Sequence, residues 1–209
     1  MNMFRIAFRF TFLSMLFFGV LYPLAMTETA RLIAPDSAKG RPVYRDGTLV
    51  GFKNIGQLFT GPDYFWGRPS ATGYNAAASG GSNLSASNPE FADEVENRVD
   101  SLLKYHPGLT RQAIPPDLLT ASASGLDPHI SLEAALIQTP RIARNRGLKE
   151  EDLETLVRDH EEGPLLGIFG PGGLVNVLEL NLALDEFSKK TGPESRISSQ
   201  PEADGSGSY

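Results

Sequence analysis

The sequence contains no cysteine, which excludes disulfides, a thiolate metal site and a cysteine nucleophile and leaves the redox compartment open. Histidine is scarce as well. Only His106, His129 and His160 occur, with no pair at i, i+4 and no Asp-x-Asp-x-Asp-Gly loop, so no metal site is expected. Base is in deficit: 19 Lys and Arg against 25 Asp and Glu give a net charge of −6, the wrong sign for a chain that binds nucleic acid through phosphates. Charge is missing altogether from Phe10 to Thr27, and that local absence decides the topology.

The uncharged run of 18 residues is mostly Phe, Leu, Met, Val and Ala. As a helix it spans roughly 27 Å at about 1.5 Å per residue, close to the thickness of a bilayer's hydrocarbon layer. Arg5 and Arg9 precede it, and Glu28 follows. Positive charge in the short flank places residues 1–9 in the cytoplasm, the span at 10–27, and everything beyond outside the inner membrane of a bacterium. A cleaved signal peptide would have a shorter apolar stretch ending in a small-x-small site, and no Ala-x-Ala follows here. Pro23 lies inside the span and cannot donate to the carbonyl of Gly19, so a kink or a neighbouring helix is expected at Gly19 and Pro23.

The chain of 209 residues leaves room for one medium domain outside, at 28–191. Beyond the span it carries 17 bases and 25 acids, a net −8, which reads as a solvated acidic surface. Asp46-Gly47 supplies a tight turn for a hairpin over 42–54. From Gly56 to Asn88 the chain is rich in Gly, Ser, Asn and aromatics without helical period, and loops with short strands are expected. Asn88-Pro89 opens a helix that presents Phe91, Val95, Val99, Leu102 and Leu103 on one face up to Tyr105. A second helix is predicted from Ser131 to Arg146 with a bend or break at Pro140, and a third from Lys149 to His160. The last begins at Asn176, where Glu179 completes a capping pattern, and reaches about Lys189. Residues 192–209 are Gly, Pro, Ser and acidic, too poor in apolar side chains to pack, and read as a disordered tail. The predicted fold is α+β and helix-dominated, a single exterior domain with a short hairpin behind one membrane helix.

Enzyme chemistry finds little foothold. Ser101-Leu102-Leu103-Lys104 and Lys190-Thr191-Gly192 match elements of penicillin-binding enzymes, so a free-standing anchored serine enzyme of that type is the alternative reading. The intervening Ser-x-Asn element is absent, and Lys-Thr-Gly falls where a helix gives way to the tail rather than on a strand. Ser122, Ser124, Asp127 and His129 crowd within eight residues, whereas a triad draws its members from separate segments. Gly80-Gly81 and Gly170-Pro171-Gly172-Gly173 lack the Lys-Ser or Lys-Thr of a phosphate loop.

Several blocks, in order, resemble one family. They are Gly19-Val20-Leu21-Tyr22-Pro23-Leu24, Ile55-Gly56-Gln57-Leu58-Phe59, Gly67-Arg68-Pro69-Ser70-Ala71 and Ala78-Ser79-Gly80-Gly81-Ser82-Asn83-Leu84. Leu119 to Asp127 and Val175 to Asp185 continue the series. Over roughly residues 6–187 the chain resembles the C subunit of the Kdp potassium-transporting P-type ATPase. The resemblance implies an accessory subunit without catalytic residues, needed for assembly and activity of a high-affinity potassium uptake complex. Its implied partners are a potassium-conducting A chain, an ATP-hydrolysing B chain and a small F peptide, in contact with membrane lipid. It also implies a catalytic chaperone that raises the B chain's affinity for ATP, with no resident cofactor and ATP met only transiently, through the complex. Ser79, Gly80, Gly81 and Ser82 are the nucleotide-contact candidates that the resemblance supplies. The charge-based topology places them on the face opposite to ATP, so help through the membrane helix or the A chain is expected.

Overall fold

The computed structural model describes residues 2–164, 167–168 and 170–191. The segment expected to be a disordered tail lies outside the described residues. Contacts divide the chain after Asn54 into two compact units.

The first unit begins with one helix over Asn2–Ile33, of mean hydropathy 1.7 and with none of its apolar window buried. It is longer than the uncharged run at both ends. Helix α1 (Asn2–Leu16) passes through a π-helical turn (Phe17–Leu21) into α2 (Tyr22–Ile33). The irregularity expected near Pro23 takes this form. The Tyr22 amide bonds the Phe17 carbonyl, five residues back, and Pro23 follows in the first turn of α2. The wider turn moves carbonyls away from the proline ring, which would otherwise clash with the residue four before it.

A helical turn, α3 (Pro35–Ala38), leads into strands β1 (Pro42–Arg45) and β2 (Thr48–Phe52). They pair antiparallel as the sequence predicts, Arg45 opposite Thr48 and Tyr44 opposite Leu49, with a bulge between Val43 and Tyr44. Asp46 and Gly47 both take positive φ, 50° and 78°, the conformation of a two-residue turn whose twist matches the strands.

The second unit holds the core. Helix α4 (Pro89–Tyr105) starts where Asn88 accepts from the Glu90 amide at 2.9 Å and buries Val99 and Leu102. The predicted second helix is two helices. Ser131 caps α5 (Leu132–Leu136) by accepting from Ala134 at 3.0 Å, and α6 (Thr139–Arg146) restarts with Pro140 in its first turn, where a missing N–H costs nothing. Gly147, left-handed at φ 65°, ends α6. Helix α7 (Glu150–Asp159) carries Glu150, Glu151 and Asp152 at its positive end and buries Leu153 and Val157. Helix α8 (Val177–Thr191) is held at its start by Asn176 Oδ1, which accepts from Glu179 at 3.2 Å.

Three short strands, β3 (His129–Ser131), β4 (Glu161–Glu162) and β5 (Leu174–Asn176), form an antiparallel sheet with β5 in the middle. Strands of two or three residues are too brief for an alternation to show, and the sequence reading placed none there. Conversely, no strand occurs between Gly56 and Asn88, where short strands were expected; that stretch is turns and irregular chain. Phe65, Ile130, Ile142, Leu153, Val175 and Leu180 meet in one fully buried cluster beneath sheet and helices. Burial of each such side chain contributes about 1.5–3 kcal/mol.

Candidate functional site

The irregular chain from Gly56 to Asn88 has few backbone partners of its own kind, and its buried amides and carbonyls need them. Helices α6 and α8, with the α5–α6 junction, supply side chains instead. Asn181 of α8 accepts from the Phe65 amide at 2.8 Å and donates to the Phe65 carbonyl at 3.0 Å, as a strand would. Gln138 does the same for Trp66, accepting from its amide at 2.8 Å and donating to its carbonyl at 3.2 Å.

Arg141 is 1% exposed, with no carboxylate among its hydrogen-bond partners. Its guanidinium donates to the carbonyls of Pro62 and Tyr64, to Gln138 and to His106 Nε2, and lies 4.0 Å over the Trp66 ring. Burial lowers its pKa to about 10, which still leaves it charged at neutral pH. His106 Nδ1 sits 2.8 Å from the Leu102 carbonyl while Nε2 faces the Arg141 donor at 3.0 Å. A carbonyl only accepts and a guanidinium only donates, so the imidazole is neutral with its proton on Nδ1. Burial, followed by the nearby Arg141 and Arg144 charges, holds His106 below the ordinary histidine value against the opposing Leu102 bond. Arg146 fastens the same loop, donating to the Asp63 carbonyl at 2.7 Å and to Asp185 at 2.8 Å. None of these polar anchors was singled out in the sequence. Their one signal is position: Gln138, Arg141 and Asn181 interrupt otherwise inward-facing stretches of α5–α6 and α8.

Within the second unit, the resembling blocks around Gly56, Ser70 and Asp127 bond to one another. The Gly56 amide bonds the Leu126 carbonyl at 2.8 Å, and a Cβ at Gly56 would come 2.5 Å from the Asp127 carbonyl oxygen, so only glycine fits. Ser70 donates to the Gly125 carbonyl at 2.6 Å, and the Ser122 amide bonds Pro69 at 3.1 Å. Arg68 pairs with Asp127 at 3.1 Å. Burial works to raise the Asp127 carboxyl, but the nearby His129 imidazole and the hydrogen bond from the His129 amide, together with Arg68, outweigh it and hold the group below its usual value.

Of the nucleotide-contact candidates, Ser79 is exposed while Gly80, Gly81 and Ser82 are half-buried on an irregular segment. The Gly80 amide and the Ser79 hydroxyl both bond the Ser124 carbonyl, at 2.8 and 3.0 Å. The next helix, α4, begins only at Pro89, so the glycines do not open onto a helix N-terminus of the kind that holds phosphate. Gly19 and Pro23 lie in the first unit, where nothing approaches within 4 Å of a Cβ built on Gly19. Arg5 and Arg9 are exposed on α1.

Ser124 Oγ accepts from the Leu126 amide at 3.1 Å, and His129 lies 3.7 Å from Asp127 and 3.4 Å from Glu162. Those are the contacts of a turn and a sheet edge, not of a nucleophile and base. Ser101 and Lys104 sit exposed on α4, while Lys190 and Thr191 close α8 rather than lying on a strand. Two open concavities flank the loops. One, of about 420 Å³, is walled by Leu58, Phe59, Trp66, Tyr74 and Tyr105; the other, of about 400 Å³, holds Arg68, Asp117, Asp127, His129 and Glu133.

Residues 4–186 match the family described as KdpC: K+-transporting ATPase, c chain. A potassium-transporting ATPase KdpC subunit of Polaromonas naphthalenivorans is 51% identical over 92% of this chain and 98% of its own. One from Caldanaerobacter subterraneus subsp. tengcongensis is 48% identical over 87% of this chain and 94% of its own. One from Flavobacterium psychrophilum is 49% identical over 89% and 98%.

Proposed function

Because this chain belongs to the KdpC family, the c chain of potassium-transporting ATPases, we propose that it is a non-catalytic assembly subunit whose second unit stands on the exterior face of the membrane. An ATPase subunit that transports potassium is associated with a membrane, and Asn2–Ile33 is the one candidate span among the described residues. Arg5 and Arg9 orient it with the N-terminus inside. The second unit then caps the outer mouth of the potassium path in the A chain, and catalysis lies in the B chain.

The observation that carries this reading is the use to which the polar side chains are put. Asn181, Gln138, Arg141 and Arg146 are each committed to loop carbonyls and amides, so the framework serves to hold a shaped surface. The chaperone effect on ATP affinity is indirect, passing through the membrane helix or the A chain, since the Ser79–Ser82 block lies across the membrane from ATP.

Co-elution of the purified chain with A and B chains tests assembly, and failure to co-elute removes the proposal. Protease added outside intact spheroplasts should digest the second unit; protection reverses the topology. Within the complex, Ser79→Ala should leave the KM for ATP unchanged, whereas a severalfold rise would make direct nucleotide contact the better account.

A further inference from the structure

Among the described residues of the first unit, nothing covers the apolar face of the β1–β2 hairpin. Tyr44 and Leu49 stand directly opposite each other, and the Pro42–Phe52 pair continues the same side of the ribbon. On that side Tyr44 is 62% exposed, Leu49 47% and Phe52 36%. An isolated two-stranded ribbon is marginal in water, so an uncovered apolar face calls for a support outside the chain.

Charge indicates which support. Residues 35–54 carry Lys39, Arg41, Arg45 and Lys53 against Asp36 and Asp46, a net +2 in a chain whose later residues, 55–209, carry 12 bases and 22 acids. Lys39, Arg41, Lys53 and Tyr44 line an open concavity of about 740 Å³ beside the α3 turn, with Asp36 the acid among them. Position agrees. Eight residues separate Ile33 from Pro42, four of them in the helical turn Pro35–Ala38, so the hairpin stays within about 25 Å of the helix end. If the hydrocarbon layer ends near Thr27, the six residues to Ile33 rise about 9 Å, through a headgroup layer some 5–8 Å deep.

We propose that the hairpin lies on the bilayer surface, with Tyr44, Leu49 and Phe52 at the boundary of headgroups and acyl chains and Lys39, Arg41 and Lys53 against the phosphates of anionic phospholipid. Basic rim and apolar face are the two features that hold interfacial segments to such membranes. This rests on the reading of Asn2–Ile33 as a span. The hairpin then fixes the depth of that helix, and the start of the second unit with it.

The absence of cysteine makes the test direct, since single cysteines can be labelled without background. The full chain carrying Leu49→Cys, Thr48→Cys or Val20→Cys is labelled with a small fluorophore. Each is reconstituted in phosphatidylcholine bilayers with or without phosphatidylglycerol. Nitroxide-bearing lipid then reports contact with the bilayer, and aqueous iodide reports exposure to water. The expected result is a position 49 label quenched by the lipid nitroxide and severalfold less accessible to iodide than the position 48 label, with the difference larger in anionic bilayers. Equal iodide quenching at 48 and 49 in anionic bilayers overturns the proposal. So does a position 49 label that becomes shielded only when the other subunits are added and never meets the lipid quencher, which assigns the face to a protein partner. A position 20 label that also escapes the lipid quencher removes the span reading, and the hairpin's seat with it.

Discussion

Residues 1–54 carry seven bases and three acids, while residues 55–209 carry 12 bases and 22 acids. The first unit leaves Phe10, Phe18, Leu24 and Leu49 in the open; the second closes Phe65, Leu153, Val175 and Leu180 away completely. The contrast runs further, into the treatment of polar groups. In the first unit the backbone satisfies itself within one helix and one ribbon, apart from the turn before Pro23. In the second, a long irregular loop is satisfied by buried side chains from neighbouring helices, which works only where a core holds those helices in place. One unit is organised around its solvent and the other around its interior.

The sharpest way to test the contrast is to remove one polar side chain from each. Asn181→Ala leaves the Phe65 amide and carbonyl without their partners in a fully buried position. Each such group costs about 1–3 kcal/mol, so a loss of about 2–6 kcal/mol is expected in urea unfolding of the full chain in detergent. Tyr44→Ala, on the exposed hairpin face, should stay within about 0.5 kcal/mol in the same assay. Comparable losses at the two positions would mean that the hairpin has a buried support within the chain.

A smaller effect is expected at a glycine of the second unit. Gly125 has φ of +68°, and a Cβ there would come 2.5 Å from Thr72 Oγ1 and 2.8 Å from the Gly80 carbonyl oxygen. Gly125→Ala should therefore cost about 1–3 kcal/mol in stability, read by the same unfolding assay. The expected signature is loosening where Ser70, Ser79 and Ser124 meet, seen as faster amide exchange at Gly80.

How much of this could be read from residues alone follows the same division. The long apolar helix, the hairpin turn at Asp46-Gly47 and the helix starts at Asn88, Ser131 and Asn176 are local devices, and each appears where its sequence signal stands. The break in the helix predicted for Ser131–Arg146 was legible as a proline but not as a restart, because Pro140 suits a first turn as well as it breaks a middle one. The sheet was not legible, since His129–Ser131 pairs with Leu174–Asn176 over a separation that no local pattern encodes. The polar framework was hidden for a related reason. Arg141 in an arginine-rich helix reads as a surface residue until the loop it holds is seen to wrap around it.

Acid should loosen that framework without touching the first unit. Unfolded, His106 titrates near 6.5; folded, burial and the facing Arg141 and Arg144 hold it lower. Below pH 6.5 the unfolded chain takes up a proton that the folded chain resists, so stability falls as pH drops through the window between the two values. Above 6.5 the group contributes no pH dependence. The only tryptophan, Trp66, is edge-on to His106 at 5.8 Å and lies beneath Arg141, and its emission should report the change. His106→Gln keeps an acceptor for Arg141 and cannot titrate. In that variant the emission change between pH 7 and 5 should vanish, while His129→Gln and His160→Gln should retain it. A change that survives in His106→Gln assigns the titration elsewhere.

The smallest expected effect on the chain itself is at Gly19, and its smallness is informative. Nothing lies within 4 Å of a Cβ at that position, so Gly19→Leu should leave the isolated chain's stability in detergent unchanged. Yet the surrounding turn is unusual for a helix that merely tethers. The Tyr22 amide bonds Phe17, five residues back, and Pro23 has no amide to offer. The Phe18 carbonyl therefore receives a donor neither four nor five residues ahead, in the middle of the apolar run. An unmet carbonyl in hydrocarbon is costly, and a neighbouring helix with a hydroxyl or amide side chain relieves it only by coming close. Glycine beside that carbonyl permits the approach, and leucine obstructs it. Gly19→Leu should then reduce copurification with A and B chains modestly, and replacement of the whole span by poly-Leu of equal length should reduce it more. If the poly-Leu chimera assembles and supports ATPase activity as the wild type does, the first unit contributes depth and anchorage alone, and all recognition belongs to the second.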